Sequence, residues 1–130
     1  MDTYLSLTQE EWSWYFTLVA GHLVHNPNRP DHTFHSERYH SRYLKLYANR
    51  QIANTPDKHG YALVRVSPLD AGPRIVGYRH MVVWLLQHGW LPPKGHKLLH
   101  LDGNKLNDIP SNLAMYPQSN PSPQLIIHAH

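Results

Sequence analysis

A chain of 130 residues suffices for about one domain with a modest core, and the absence of cysteine excludes both a disulfide framework and a cysteine-based zinc site. The net charge is only +3, yet all 12 lysines and arginines fall between Arg29 and Lys105 with five acidic residues among them. A basic middle of that kind suits a polyanionic partner, nucleic acid above all, and equally suits a solvated surface with no partner. No apolar run approaches the roughly 20 residues of a membrane span, and Met1-Asp2-Thr3-Tyr4 lacks the basic start of a signal peptide, so a soluble, cytoplasmic protein is expected.

Thr8-Gln9-Glu10-Glu11 has the form of a capping box, and Trp12, Tyr15, Phe16, Val19 and Leu23 recur at helical spacing. That pattern predicts a core-packing helix reaching about His25, ended by Asn26-Pro27-Asn28-Arg29-Pro30. His32, His35 and His40 follow on a polar stretch without a clear carboxylate partner, a pattern that favours ordinary surface or hydrogen-bonded histidines over a metal site. A second helix is predicted from Ser36 to about Asn49. Its Tyr39, Tyr43, Leu46 and Tyr47 form a stripe for the core, while Arg38, Arg42 and Lys45 share a neighbouring face. Those three cations fit successive phosphates of a nucleic-acid backbone, and fit a plain solvated face as well.

From Gly60 the period changes. Tyr61 to Val66 is rich in strand formers, Ser67 to Pro73 is a Pro/Gly turn, and Arg74 to Tyr78 can return as a second strand, which makes a hairpin. His80 to Leu86 is apolar nearly all round, as a buried helix should be, and Gly89 with Pro92-Pro93 stops it. Lys97-Leu98-Leu99 then reads as a short strand ending on His100, with Asp102-Gly103-Asn104 as a turn and the segment after Pro110 as the start of a helix. A histidine fixed at a strand end is suited to take a proton from water near neutral pH. Asn112 is placed to fix a loop or orient that imidazole through its amide.

Read together, His80-Met81-Val82-Val83-Trp84, Gly89-Trp90-Leu91-Pro92, Leu98-Leu99-His100, Asp102-Gly103-Asn104 and Asn112-Leu113 resemble, in order and spacing, the core of the HNH endonucleases. These are the ββα-metal nucleases common in bacteriophages and mobile introns, and the resemblance spans roughly residues 59 to 120. His80 occupies the family's histidine position, with Met81 in place of the usual arginine. The resemblance implies hydrolysis of DNA phosphodiester bonds with one divalent ion, Mg²⁺ or Mn²⁺, His100 as the general base and Asn112 as the brace of its loop. Asp102 and Asn120 are the candidate metal ligands, and Lys97 and Lys105 join Arg38, Arg42 and Lys45 as candidate nucleic-acid contacts.

Two positions depart from that pattern. Leu99 stands where many members carry a ligand such as Asp, and Pro121 stands where a further Asn or His usually lies, next to Asn120. With Pro117, Pro121 and Pro123 nearby, no normal final helix is expected. The alternative function is therefore a catalytically degenerate HNH-derived module that binds nucleic acid or a host protein. The expected architecture is α+β: a helical N-terminal region over 1–58, an HNH-like ββα-metal domain with hairpin and buried helix over 59–120, and an irregular tail over 121–130.

Overall fold

The computed structural model describes residues 7–67 and 74–117. It is α+β, with three helices and three two-stranded antiparallel sheets among the described residues. In chain order these are α1 (Gln9–Tyr15), β1 (Phe16–Val19), β2 (His22–His25), α2 (Glu37–Leu46), β3 (Leu63–Val66), β4 (Ile75–Tyr78), α3 (Arg79–His88), β5 (His96–His100) and β6 (Leu113–Pro117).

The capping box forms as its sequence predicts. Thr8 Oγ1 accepts from the Glu11 amide at 3.1 Å, and Glu11 returns the bond to the Thr8 amide at 2.9 Å. The helix it starts, however, stops at Tyr15 rather than near His25, because Phe16 turns extended and the chain runs on as the β1–β2 hairpin. Ala20 and Gly21 supply the turn, both at positive φ (50° and 82°), the conformation that two-residue hairpin loops require. Phe16, Thr17 and Val19 are strand formers, and Val19 is 52 % exposed, so it never belonged to an apolar helix face.

The second helix forms with Ser36 as its cap. Of the stripe assigned to the core, only Tyr43 is buried, whereas Tyr39, Leu46 and Tyr47 are 40 %, 39 % and 46 % exposed. The helix is held by few anchors, among them the Tyr43 hydroxyl, which donates to the Asn26 carbonyl at 2.9 Å. His32 lies edge-on to Trp14, and His40 stacks on Phe34.

The core is shared by the two halves of the sequence: Trp12, Phe16 and Leu23 from before residue 58 pack with Val64, Val66, Val82, Val83 and Leu113 from after it. Trp12 and Val82 are wholly inaccessible. At about 1.5–3 kcal/mol for each large apolar side chain buried, this shared core fixes α3 against α1 and the β3–β4 hairpin. Gly89, left-handed at φ 82°, caps α3 as expected.

β5 pairs with β6 in antiparallel register, His100 opposite Leu113, and the loop between them carries the Asp-Gly-Asn turn. The segment after Pro110 makes only a single 3-10 turn, Pro110–Asn112, before entering β6. Leu113 is buried in the core while Met115 and Pro117 on the same face are exposed, so the strand is held by its backbone pairing with β5 across five residue pairs and by the one anchor at Leu113. The hairpin turn from Pro68 to Pro73, Asn120, Pro121 and the tail lie outside the described residues.

Candidate active site

The site is assembled at the junction of α3, the end of β5 and the 101–112 loop. His100, the last residue of β5, is 6 % exposed, and its Nε2 lies 2.6 Å from Asp108 Oδ1. The second oxygen of Asp108 accepts from Arg79 Nε at 2.8 Å. The Arg79 guanidinium is otherwise used to clamp the surroundings: it donates to the Ile52 carbonyl, to Asn54 Oδ1 at 2.7 Å and to the Leu106 carbonyl at 2.8 Å. Histidine, carboxylate and guanidinium thus form a buried line in which each charge has a partner, the condition for keeping charged groups out of water. Burial pushes the Asp108 carboxyl up, but the hydrogen bonds from His100 and Arg79 outweigh it and hold the group below its usual range. Asp108 is therefore an anion near neutral pH and fixes the proton of His100 on Nε2, leaving Nδ1 as the basic nitrogen.

His80, one residue into the same helix as Arg79, is buried beside this line, its ring 5.2 Å from that of His100. Burial lowers its pKa to about 4, so its imidazole is neutral, and its Nδ1 is buried with no hydrogen-bond partner. Tyr61 and Tyr78 flank it at 5.1 and 5.5 Å between ring centres. The Tyr78 hydroxyl donates to Asp57 Oδ2, and Asp57 Oδ1 accepts the His59 and Tyr61 amides, which ties the approach to β3 onto β4. A hollow of about 200 Å³ opens here, bordered by His80, the two tyrosines and Lys97.

The Asn112 side chain bonds the loop and not the imidazole. Its Oδ1 accepts the Asp102 amide at 3.0 Å, and its Nδ2 donates to Asp102 Oδ1 at 2.9 Å and to the Asn107 carbonyl at 2.8 Å. Asp102 completes the loop from inside, accepting from the Asn104 amide and from Asn107 Nδ2. This network sets the path by which the chain returns Asp108 to His100.

Residues 77–120, about a third of the chain, match the family model for HNH endonuclease. Over that segment the chain is similar to the HNH endonucleases. Its match begins in β4 and takes in α3, β5, the braced loop and β6, the elements that carry His80, His100, Asp108 and Asn112. No curated protein and no solved structure matches the chain. An HNH segment implies a nuclease-type function and binding of nucleic acid. No helix among the described residues is long and apolar enough to cross a membrane.

HNH enzymes ordinarily use a divalent ion, and the described residues can be tested against that requirement. Asp102 Oδ1 accepts from the Asn104 amide and Asn112 Nδ2, whereas its exposed Oδ2 accepts only from Asn107 Nδ2, which leaves this candidate ligand a single open acceptor position, and Leu99 offers no donor. Asn120 lies outside the described residues. The group with metal-ligand chemistry is instead His80, His100 and Asp108, whose donor atoms fall within 4.8 Å of one another. Two imidazoles and one carboxylate suit a borderline ion such as Zn²⁺ or Fe²⁺ better than Mg²⁺ or Mn²⁺, for which oxygen ligands are preferred. The 2.6 Å between His100 Nε2 and Asp108 Oδ1 is also shorter than the roughly 3 Å that separates two ligands of one ion at about 2.1 Å each. As arranged, the trio is a hydrogen-bonded relay and does not fit a preformed hard-cation site.

Among the candidate nucleic-acid contacts, Arg38, Arg42, Lys45 and Lys97 are exposed. Lys105 is engaged, its Nζ donating to the His59 carbonyl at 2.9 Å and lying over the Tyr61 ring. Sequence reasoning missed Asp108 and Arg79. A signal existed: an arginine opening an otherwise apolar, buried helix needs a carboxylate, and Asp108 is the acidic residue at the end of the loop that follows His100.

Proposed function

We propose that the chain is an HNH endonuclease of phage or mobile-element type that hydrolyses phosphodiester bonds in DNA with His100 as the general base. The observation that carries this reading is the Arg79–Asp108–His100 line, with His100 Nε2 at 2.6 Å from an anionic carboxylate. A carboxylate on one imidazole nitrogen fixes the tautomer and stabilises the imidazolium that forms when the other nitrogen takes a proton from the attacking water. Asn112 positions that line through the loop, and the neutral His80 beside it adds no competing positive charge. Exposed Lys97 at the rim of the hollow is suited to a backbone phosphate. Such an enzyme works where DNA is accessible, in the cytoplasm of a host cell.

The test is cleavage of supercoiled plasmid with Mn²⁺ or Mg²⁺ by the wild type and by His100→Ala. Loss of a positioned base lowers the rate about 10²–10⁴-fold; equal products from both proteins sink the proposal. A second reading, a non-cleaving module that binds nucleic acid or a host protein, is favoured by the burial of His100, by Leu99 and by the engaged oxygens of Asp102. It predicts binding of DNA without products under any divalent ion.

A further inference from the structure

Away from His100, β1, α2 and the β3–β4 hairpin border a hollow of about 360 Å³ in which four tyrosines and four arginines make up two thirds of the lining residues. Its floor is built around Arg29. That side chain is buried, donates through Nε and Nη2 to Thr33, and lies 4.1 Å from the centre of the Phe34 ring and 4.9 Å from those of Tyr15 and Tyr43. Its charge is spent on holding the rings in place. The rim differs. Arg42 of α2, Arg65 of β3 and Arg74 just before β4 are exposed and converge on the opening. Among the described residues none of the three forms an ion pair, and Arg65 makes only a 3.4 Å contact with Thr55. Between these cations stand Tyr39 and Tyr47, left 40 % and 46 % exposed on a helix whose sequence pattern would have buried them. His25, also in the lining, has its pKa lowered by burial and by Arg29, so the site's positive charge comes from guanidinium groups and persists across neutral pH.

Exposed aromatic faces alternating with uncompensated guanidinium groups suit a ligand that is itself flat rings strung on phosphates. Tyrosine faces take nucleobases whatever their identity, but only bases out of a duplex stack are free to meet them. The volume falls in the about 300–1,000 Å³ range of sites for small ligands, enough for one splayed nucleotide. We propose that this hollow binds an unstacked nucleotide of a single-stranded nucleic-acid segment, its base on Tyr39 and Tyr47 and its flanking phosphates on Arg42, Arg65 and Arg74. The proposal rests on the nucleic-acid reading of the HNH segment but not on retained cleavage. It gives the helix a task that the HNH segment does not perform: holding an unpaired strand.

Fluorescence anisotropy in EDTA, where cleavage plays no part, tests this independently of the nuclease proposal. The probes are a labelled short oligothymidylate, an abasic strand of the same length and a duplex. The oligothymidylate should bind about 5- to 150-fold more tightly than the abasic strand, as one or more stacked bases allow. Tyr39→Ala and Tyr47→Ala should erase most of that preference, with unchanged circular dichroism. Arg42→Ala should weaken both strands and lower the salt slope by about 0.7. Equal affinity for abasic and normal strands, equal affinity for the duplex, tyrosine variants that are folded yet unchanged, or displacement by polyglutamate as effective as by unlabelled oligothymidylate would each overturn the assignment.

Discussion

Replacing Asp108 by asparagine is the sharpest probe of the proposed base, because it keeps the shape of the side chain and removes only its charge. One carboxylate oxygen meets His100 Nε2 at 2.6 Å and the other Arg79 Nε at 2.8 Å. An amide has one oxygen and one NH₂. With the oxygen toward His100, the NH₂ opposes the Arg79 N–H, donor against donor; turned over, the NH₂ faces Nε2 and drives the imidazole proton to Nδ1, the atom required to receive a proton from water. Removing one partner of a buried pair costs about 3–5 kcal/mol, a large share of the about 5–15 kcal/mol by which a domain is stable. Stability must therefore be read beside rate, by urea denaturation on the same preparation. The wrong tautomer in a comparable histidine–carboxylate arrangement costs about 10⁴ in turnover, and we expect a fall of about 10²–10⁴ in plasmid cleavage by the fraction that remains folded. A folded Asp108→Asn protein that cuts at the wild-type rate with an unaltered pH profile would refute the relay.

Three further outcomes follow from the same geometry. Because burial lowers the His80 pKa from 6.5 to about 4, the unfolded chain binds a proton that the native state refuses between those values. Stability present above about pH 6.5 should fall by about 3 kcal/mol as pH drops toward 4, with the lowered Asp108 carboxyl adding loss below that; urea midpoints for His80→Leu should lack the first slope, and an identical slope would count against a buried neutral histidine. Asn112→Ala removes three hydrogen bonds from the 102–107 loop, so the Asp102 amide should lose hydrogen-exchange protection and cleavage should fall although the Asn112 side chain bonds the loop and not the His100 ring; retained protection would show that the loop is held by other means. Mg²⁺ alone should leave the thermal midpoint unshifted, since Asp102 Oδ1 is fully engaged and its Oδ2 would be a single, exposed oxygen ligand. A Mg²⁺-dependent rise abolished by Asp102→Asn contradicts that account.

The parts of the fold that sequence could reveal are those held by local interactions. The Thr8–Glu11 box, the Ser36 cap, Gly89 and the Asp102-Gly103-Asn104 turn each satisfy backbone groups within a few residues, so their signatures survive without knowledge of the tertiary structure. What failed was decided at a distance. Trp12, Tyr15, Phe16, Val19 and Leu23 fit a helix by spacing, but the positive φ at Ala20 and Gly21 and the pairing of β2 with residues 50–52 turned the second half into a hairpin. The same division runs through the site. His100 and Asn112 were legible because they sit in a recognisable local string, whereas Asp108 matters only because α3 carries Arg79 to within 2.8 Å of it, across 29 residues of sequence. Asp102 is a natural ligand by type and position, and asparagine donors of its own loop bond both its oxygens, Oδ1 twice and Oδ2 once. A carboxylate's chemistry in such a chain is thus set by which donors reach it first, and here Asp102 shapes the loop while Asp108, eight residues after His100, is left to set its tautomer.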